Sequence, residues 1–239
     1  MNSAAATPRE RRTVRESIAL LRSHQKPPRG VSLYTRYVNR PWGRALAAVA
    51  DRLGLTPNVV TLISGAFSLT AIVLIATQPP TVLMGVVIAL LLTTGFALDS
   101  ADGQLARLRG GGSKSGELLD HMLDALVKLL LHLAVLDAWL ALGVTKPLIL
   151  LPVAFQVVAV LLFFGATLVG VLQPRTGGAA ATPSRLRSIL LLPVDHGVVG
   201  ASFLFWGFTG LFTGIYAFLF AAHAVLLVAL FTQWFRELS

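Results

Sequence analysis

Six long apolar runs dominate this chain, and each is long enough to cross a membrane. A spanning helix needs roughly 17–25 mostly apolar residues. Stretches at about 59–77, 81–98, 115–142, 148–172, 189–208 and 212–235 reach that length. Gln78-Pro79-Pro80 closes the first, Gly143 and Pro147 close the third, and Gln173-Pro174 closes the fourth, as residues that break helices should. Only 13% of the 239 residues are charged, about half the fraction usual in a soluble domain, so this surface cannot face water everywhere. The expected fold is all-α. It is an integral membrane bundle of six transmembrane helices over residues 57–239, with an N-terminal amphipathic interfacial helix at 31–56 and a basic cytosolic tail at 1–30.

Charge placement tests that division independently, because Lys and Arg collect in cytoplasmic loops. Eleven of the twenty basic residues precede the first run. Arg107, Arg109 and Lys114 fall between the second and third, Arg175, Arg185 and Arg187 between the fourth and fifth, and Arg236 after the sixth. With both termini cytoplasmic, these eighteen share one face, Lys146 stands on the other, and Lys128 lies inside the third run. The expected location is the cell membrane. The net charge of +9 is then explained by topology and anionic headgroups, and no aromatic-interleaved basic patch argues for nucleic acid. Residues 1–30 lack the apolar core of a secretory signal, and Glu10 and Glu16 argue against a transit peptide. Between 31 and 53, Tyr34, Tyr37, Trp42 and Leu46 alternate with Arg36, Arg40, Arg44 and Arg52. That pattern predicts an amphipathic helix in the interface, broken near Pro41, which serves as a membrane anchor or contributes to substrate binding. The chain has no cysteine, which excludes disulfides and thiolate metal sites.

Four of the seven aspartates, Asp99, Asp102, Asp120 and Asp124, fall within 26 residues around the turn between the second and third runs. Spacings of three and four put each pair on one helical face. Gly110-Gly111-Gly112 between them lets the chain reverse, so the two faces meet at the cytoplasmic end. Acids at a membrane boundary are functional candidates by default. An oxygen-only donor set suits a hard ion such as Mg²⁺ or Mn²⁺. Two such ions, about 3.5–4 Å apart, clamp the attacking and leaving oxygens of a phosphoryl displacement.

The run from Asp99 to Asp124 reads D-x2-D-G-x2-A-R-x8-G-x3-D-x3-D, with Gly103, Ala106, Arg107 and Gly116 at its other fixed positions. It resembles in full the signature of the CDP-alcohol phosphotransferase (CDP-alcohol phosphatidyltransferase) family, and Thr56-Pro57-Asn58-Val59-Val60-Thr61 is similar to that family's lead into its first span. The resemblance implies an enzyme that moves a phosphoalcohol group from a CDP-alcohol donor to a hydroxyl acceptor, releases CMP and uses two divalent ions, Mg²⁺ or Mn²⁺. It further implies that Asp99, Asp102 and Asp120 are metal ligands, while Asp124 shares the second ion or acts as base. Gly103, Gly116 and Ala106 would leave room for the nucleotide, and Arg107 would pair with the diphosphate. Asn58 and Thr61 either join that pocket or cap the helix start. The implied donor is CDP-diacylglycerol, with a small polyol or polyol phosphate as acceptor, in phospholipid biosynthesis by a homodimer. CDP-inositol and CDP-aminoalcohol donors are the alternatives.

Other polar residues keep two readings each. Lys128, four beyond Asp124, is an ion-pair partner or a substrate contact. His196, after Pro193 and Asp195, touches the acceptor or bridges helices. Arg185 and Arg187 bind an acceptor phosphate or enforce topology. His121 points off the carboxylate face, and His132 and His223 read as packing residues. Rival functions are a quinone-type prenyltransferase, which lacks the Gly and Ala-Arg positions, and a cation transporter, which places its acids near the midplane. Release of CMP from a CDP-alcohol separates all three.

Overall fold

The computed structural model describes residues 13–23, 31–172 and 185–239. Among these are nine α-helices: α1 (Val14–Ser23), α2 (Arg40–Arg52), α3 (Pro57–Thr77), α4 (Val82–Leu108), α5 (Lys114–Ala141), α6 (Lys146–Leu172), α7 (Arg185–Leu190), α8 (His196–Ser202) and α9 (Thr209–Leu238). Arg175 and Glu10 lie outside the described residues.

Local chemistry sets the boundaries. Thr56 opens α3 by accepting the Val59 N–H at 3.3 Å, and Pro57 occupies the first turn, where no N–H is needed. Pro79 forces Gln78 into extended backbone and ends that helix. Thr81 caps α4 through the Met84 N–H at 3.2 Å, and Ser113 caps α5 through the Gly116 N–H at 3.0 Å. Between α4 and α5 the chain reverses at Gly110 and Gly111, whose φ values of 95° and 127° lie where a side chain would be strained.

Four helices, α3, α4, α6 and α9, are long and apolar enough to cross a membrane. The second apolar run ends near Leu98, yet α4 continues to Leu108 and carries the polar motif as uninterrupted helix. Although α5 is as long, at 28 residues, its first half bears Lys114, Glu117, Asp120, Asp124 and Lys128. The fifth apolar run is not a single helix. It comprises α7, a turn through Pro193, α8, and a 3-10 turn at Phe203–Phe205. Pro193 offers no N–H to continue the ladder. Asp195 then starts a new helix by accepting the Gly197 N–H at 2.8 Å.

Helix α3 packs on α4 and α5, α5 on α6, α6 on α9, and α8 on α4. Ser64 of α3 donates to the Gly95 carbonyl of α4 at 2.8 Å, a polar tie between small residues that lets the two backbones approach. Away from the carboxylates, Phe155, Phe203, Trp206, Phe212 and Tyr216 interlock; Trp206 meets Phe212 edge-on at 4.8 Å, and Phe155 lies 5.0 Å from Tyr216. The outer faces of α6 and α9 expose Phe164, Val171, Val225 and Phe231.

The N-terminal region departs from the expected pattern. A π-helical turn, Thr35–Asn39, runs into α2 without a break, because Pro41 sits in the first turn. The face of α2 buried on α4 consists of small residues, Gly43, Ala47, Ala48 and Ala50, while Tyr37 and Trp42 point outward. Within the stretch expected as a tail, α1 packs on α2 with Leu21 buried. Its Ser17 hydroxyl donates to Asp51 of α2 at 3.2 Å. Arg109, just beyond α4, forks onto the same carboxylate, with Nε and Nη2 both at 3.2 Å.

Asp195 is the second anchor of this region. It accepts the hydroxyls of Ser32 and of Thr35, the latter at 2.6 Å, in addition to capping α8. Asp195→Ala should therefore leave the buried Ser32 hydroxyl, the half-buried Thr35 hydroxyl and a helix N-terminus without their acceptor, a loss of about 1–3 kcal/mol. Thermal unfolding of the detergent-solubilised protein should show a lower Tm for Asp195→Ala and an unchanged one for the exposed Arg185→Ala.

Candidate active site

Asp99 and Asp102 lie one turn apart on α4, and Asp120 and Asp124 one turn apart on α5. The glycine reversal brings three of the four together: single oxygens of Asp99, Asp102 and Asp120 all lie within 4.8 Å of one another. Asp102 is buried, and the other three are half-buried. Each of the four lies within electrostatic reach of at least one of the others, with Asp124 acting on Asp99, Asp102 and Asp120 alike. A convergent set of hard carboxylate oxygens, in a chain without a single cysteine, fits a divalent metal ion that prefers oxygen ligands.

Thr61 holds the buried member in place. Its hydroxyl lies 2.5 Å from Asp102 Oδ2 and 3.0 Å from the Pro57 carbonyl. Helix-start capping, the other reading of Thr61 and Asn58, is supplied by Thr56 instead. Asn58 reaches across to α5: a Cβ built on Gly116 would lie 2.8 Å from Asn58 Oδ1. The space that glycine leaves at 116 is thus taken by the Asn58 amide.

Arg107 lies half-buried on α4, with electrostatic contact to Asp102 and to Arg40. Its guanidinium folds back along the helix, so that a Cβ on Gly103 would meet Nη1 at 3.5 Å, ordinary contact. The Ala106 carbonyl accepts the Gly111 N–H at 2.9 Å and closes the end of α4. Gln104, on the same side of α4, donates to the Arg40 carbonyl at 3.3 Å, which fixes the start of α2 beside the motif.

Asp124 stands outside the group of three. Its Oδ1 pairs with Lys128 Nζ at 2.9 Å, and the ammonium sits over the Phe163 ring, 4.7 Å from the centroid. A small cavity of about 20 Å³ is bounded by Thr61, Asp99, Asp124 and His196. A larger one of about 270 Å³ lies between α5, α6, α8 and α9, with Lys128 and His196 in its wall. His196 borders both and packs edge-on against Phe96 at 5.2 Å.

The remaining expected residues separate clearly. Arg185 and Arg187 are exposed on α7 and border neither cavity. His121 is exposed, with its ring 6.4 Å from Phe163. His132 bonds through Nδ1 to the Tyr216 hydroxyl at 2.6 Å, and His223 through Nδ1 to the Leu219 carbonyl at 2.8 Å. Both are satisfied in packing, and both also line the larger cavity. The Asp51–Arg109 pair, the Thr61–Asp102 bond and the seat of Lys128 on Phe163 carry no local sequence signal, since each joins residues far apart in the chain or depends on a ring from another helix.

None of the curated proteins matches the chain. Among solved structures it is similar to the phosphatidylinositol phosphate synthase (PgsA1) of Mycobacterium tuberculosis. With the crystal structure of that protein with CDP-DAG bound it shares 22% identity at a TM-score of 0.56, covering 80% of this chain and 90% of that one. With the complex containing manganese and citrate the identity is 22% and the TM-score 0.57, over 83% and 89%. At that identity the likeness establishes the fold. The family model described as CDP-alcohol phosphatidyltransferase matches residues 54–235, which takes in α3 to α9 and every one of the clustered aspartates: this chain is a membrane enzyme of the CDP-alcohol phosphatidyltransferase family, a transferase of substituted phosphate groups.

Proposed function

We propose that the chain transfers the phosphatidyl group of CDP-diacylglycerol to the hydroxyl of a small alcohol acceptor and releases CMP. The observation that carries this reading is the division among the four carboxylates. Three converge as a hard-ion site, and the fourth borders the small cavity and pairs with Lys128, which lines the larger one. The solved neighbour with CDP-DAG bound supports the choice of donor, and the one with manganese supports the choice of ion.

Asp99, Asp102 and Asp120 would hold the divalent cation, which supplies charge neutralisation for the donor's diphosphate. Thr61 keeps the Asp102 carboxylate turned into the cluster. Arg107, close to Asp102, would offer its planar fork to a diphosphate oxygen. The acceptor hydroxyl attacks the phosphorus that bears diacylglycerol, its proton passes to Asp124, and the bond from that phosphorus to the bridging diphosphate oxygen breaks. The electron pair of that bond leaves with CMP. Lys128, 2.9 Å away, holds the Asp124 carboxylate in one orientation, as a general base requires.

The topology we propose uses six crossings. The four apolar helices are joined by α5 and by the α7–α8 segment, so that both termini and the carboxylates face the cytoplasm of the cell membrane. Tyr37 and Trp42, exposed on the N-terminal segment, suit a headgroup interface. The apolar faces of α6 and α9 suit lipid and a second copy of the chain.

Assayed with CDP-diacylglycerol and Mn²⁺, Asp124→Asn should lose about 10²–10⁴-fold in CMP release and still bind Mn²⁺ by electron paramagnetic resonance. Wild-type turnover in that variant would remove Asp124 from the mechanism. Asp99→Ala should weaken Mn²⁺ binding by at least about 10-fold. The same titration of the wild type counts the ions, and unchanged affinity in the variant would contradict the ligand assignment.

A further inference from the structure

The cavity between α5, α6, α8 and α9 holds about 270 Å³, near the lower end of the roughly 300–1,000 Å³ usual for small-molecule pockets. Its wall is mostly hydrocarbon, broken by three imidazoles and one ammonium. Among the described lining residues Lys128 is the sole formal cation, and its charge is already engaged by Asp124 at 2.9 Å and by the Phe163 ring. The arginines that could have supplied more positive charge, Arg185 and Arg187, are exposed elsewhere. A phosphate monoester entering here would bring a charge of about −1.5 to −2. It would meet a neutralised lysine, apolar walls and the nearby carboxylates, and burying an unpaired charge in such a place is strongly opposed.

Hydroxyl groups fare differently. His132 and His223 spend Nδ1 on Tyr216 and on the Leu219 carbonyl, which leaves Nε2 of each ring as a second hydrogen-bonding atom. His196 adds a third ring on the wall shared with the smaller cavity, where Asp99 and Asp124 stand. The lining can therefore exchange hydrogen bonds with neutral hydroxyls, while among its described residues it holds no cation left uncompensated to balance an anion.

We propose that this cavity seats the acceptor and selects a small alcohol without a phosphate group, with Lys128 serving as a positioning residue for Asp124. This rests on the transferase reading above and narrows its substrate class. Lys128 acts through Asp124: seated on Phe163, it fixes the direction in which the carboxylate receives the acceptor's proton.

The test uses the full chain in lipid nanodiscs with CDP-diacylglycerol and Mn²⁺, and follows CMP release with matched acceptors: glycerol against glycerol 3-phosphate, and inositol against inositol 1-phosphate. In the productive pair the free alcohol should show at least about 10-fold higher kcat/KM than its phosphate ester. Parity, or preference for the esters, overturns the inference and leaves the transferase reading standing. Absence of CMP release with every acceptor sinks both. Lys128→Met, which keeps the side-chain stem over Phe163, should lower kcat by about 10-fold or more while the KM for the free alcohol stays within about 3-fold. Lys128→Arg should restore part of that kcat. A raised acceptor KM at unchanged kcat in Lys128→Met would show that Lys128 binds the acceptor, and would overturn its positioning role.

Discussion

Two carboxylates 4.8 Å apart, the span within which Asp99, Asp102 and Asp120 gather, repel by about 3 kcal/mol at an effective dielectric of about 20. Three together triple the number of such terms, and Asp124 adds more. The fold must therefore hold like charges against their own field, and much of its local design is explained by that need. Two carboxylates ride on each of two long helices, so no soft loop is free to swing them apart. The reversal between the helices is short and uses Gly110 and Gly111 in backbone that only glycine tolerates well. Thr61 donates to the most buried of the four. Lys128 pairs with Asp124, the one outside the group of three.

Rigid placement also demands support from outside the hairpin, and two further aspartates supply it. Asp51 gathers Ser17 of α1 and Arg109 at the end of α4 onto one carboxylate. Arg109 follows Arg107 by two residues, so this tie fixes the segment that carries the diphosphate-binding candidate. Asp195 gathers Ser32 and Thr35 while it caps α8, whose first residue is His196. The N-terminal region is thus fastened at both ends of the site: beside the arginine through Asp51, and beside the histidine through Asp195. Its small buried residues let α2 lie flat on α4, which brings Arg40 into electrostatic reach of Arg107.

Some of this was legible in the sequence for simple reasons. Apolar runs bounded by proline and glycine have few structural alternatives in a bilayer, because backbone groups there must be satisfied within the helix. The three- and four-residue spacings of the aspartates can place side chains on one face only if the backbone is helical. Hydropathy misled where polarity and helicity part company. The run ending at Leu98 continues as helix to Leu108, since its polar groups turn toward the bundle and not toward lipid. The run at 189–208 breaks at Pro193 although its composition is mostly apolar on either side of Asp195 and His196. Contacts such as Thr61 to Asp102, 41 residues apart, were not legible at all, because they depend on the register between helices, which no short pattern encodes. For the same reason the packing of α2 on α4 through Gly43, Ala47, Ala48 and Ala50, with Tyr37 and Trp42 turned outward, was not legible: the close approach to α4 admits only small side chains.

The placement of cations completes the physical account. A site for a nucleotide diphosphate must balance several negative charges, and a site for a neutral alcohol must balance none. On the proposed assignment arginine stands on the diphosphate side, with Arg107 near Asp102 and Arg40 near Arg107. On the other side, the single ammonium is matched by a carboxylate and covered by an aromatic ring. Selectivity of this kind does not require a dedicated recognition residue. In the proposed reading it follows from leaving the acceptor side, among the described residues, with no spare positive charge, so that a phosphate would face hydrocarbon and acids while a hydroxyl would meet imidazole. Asp124 belongs electrostatically to the cluster and reaches the larger cavity only through Lys128, which lines it, a position between the two sides that suits the proposed transfer of a proton from one substrate while the other's phosphate is displaced.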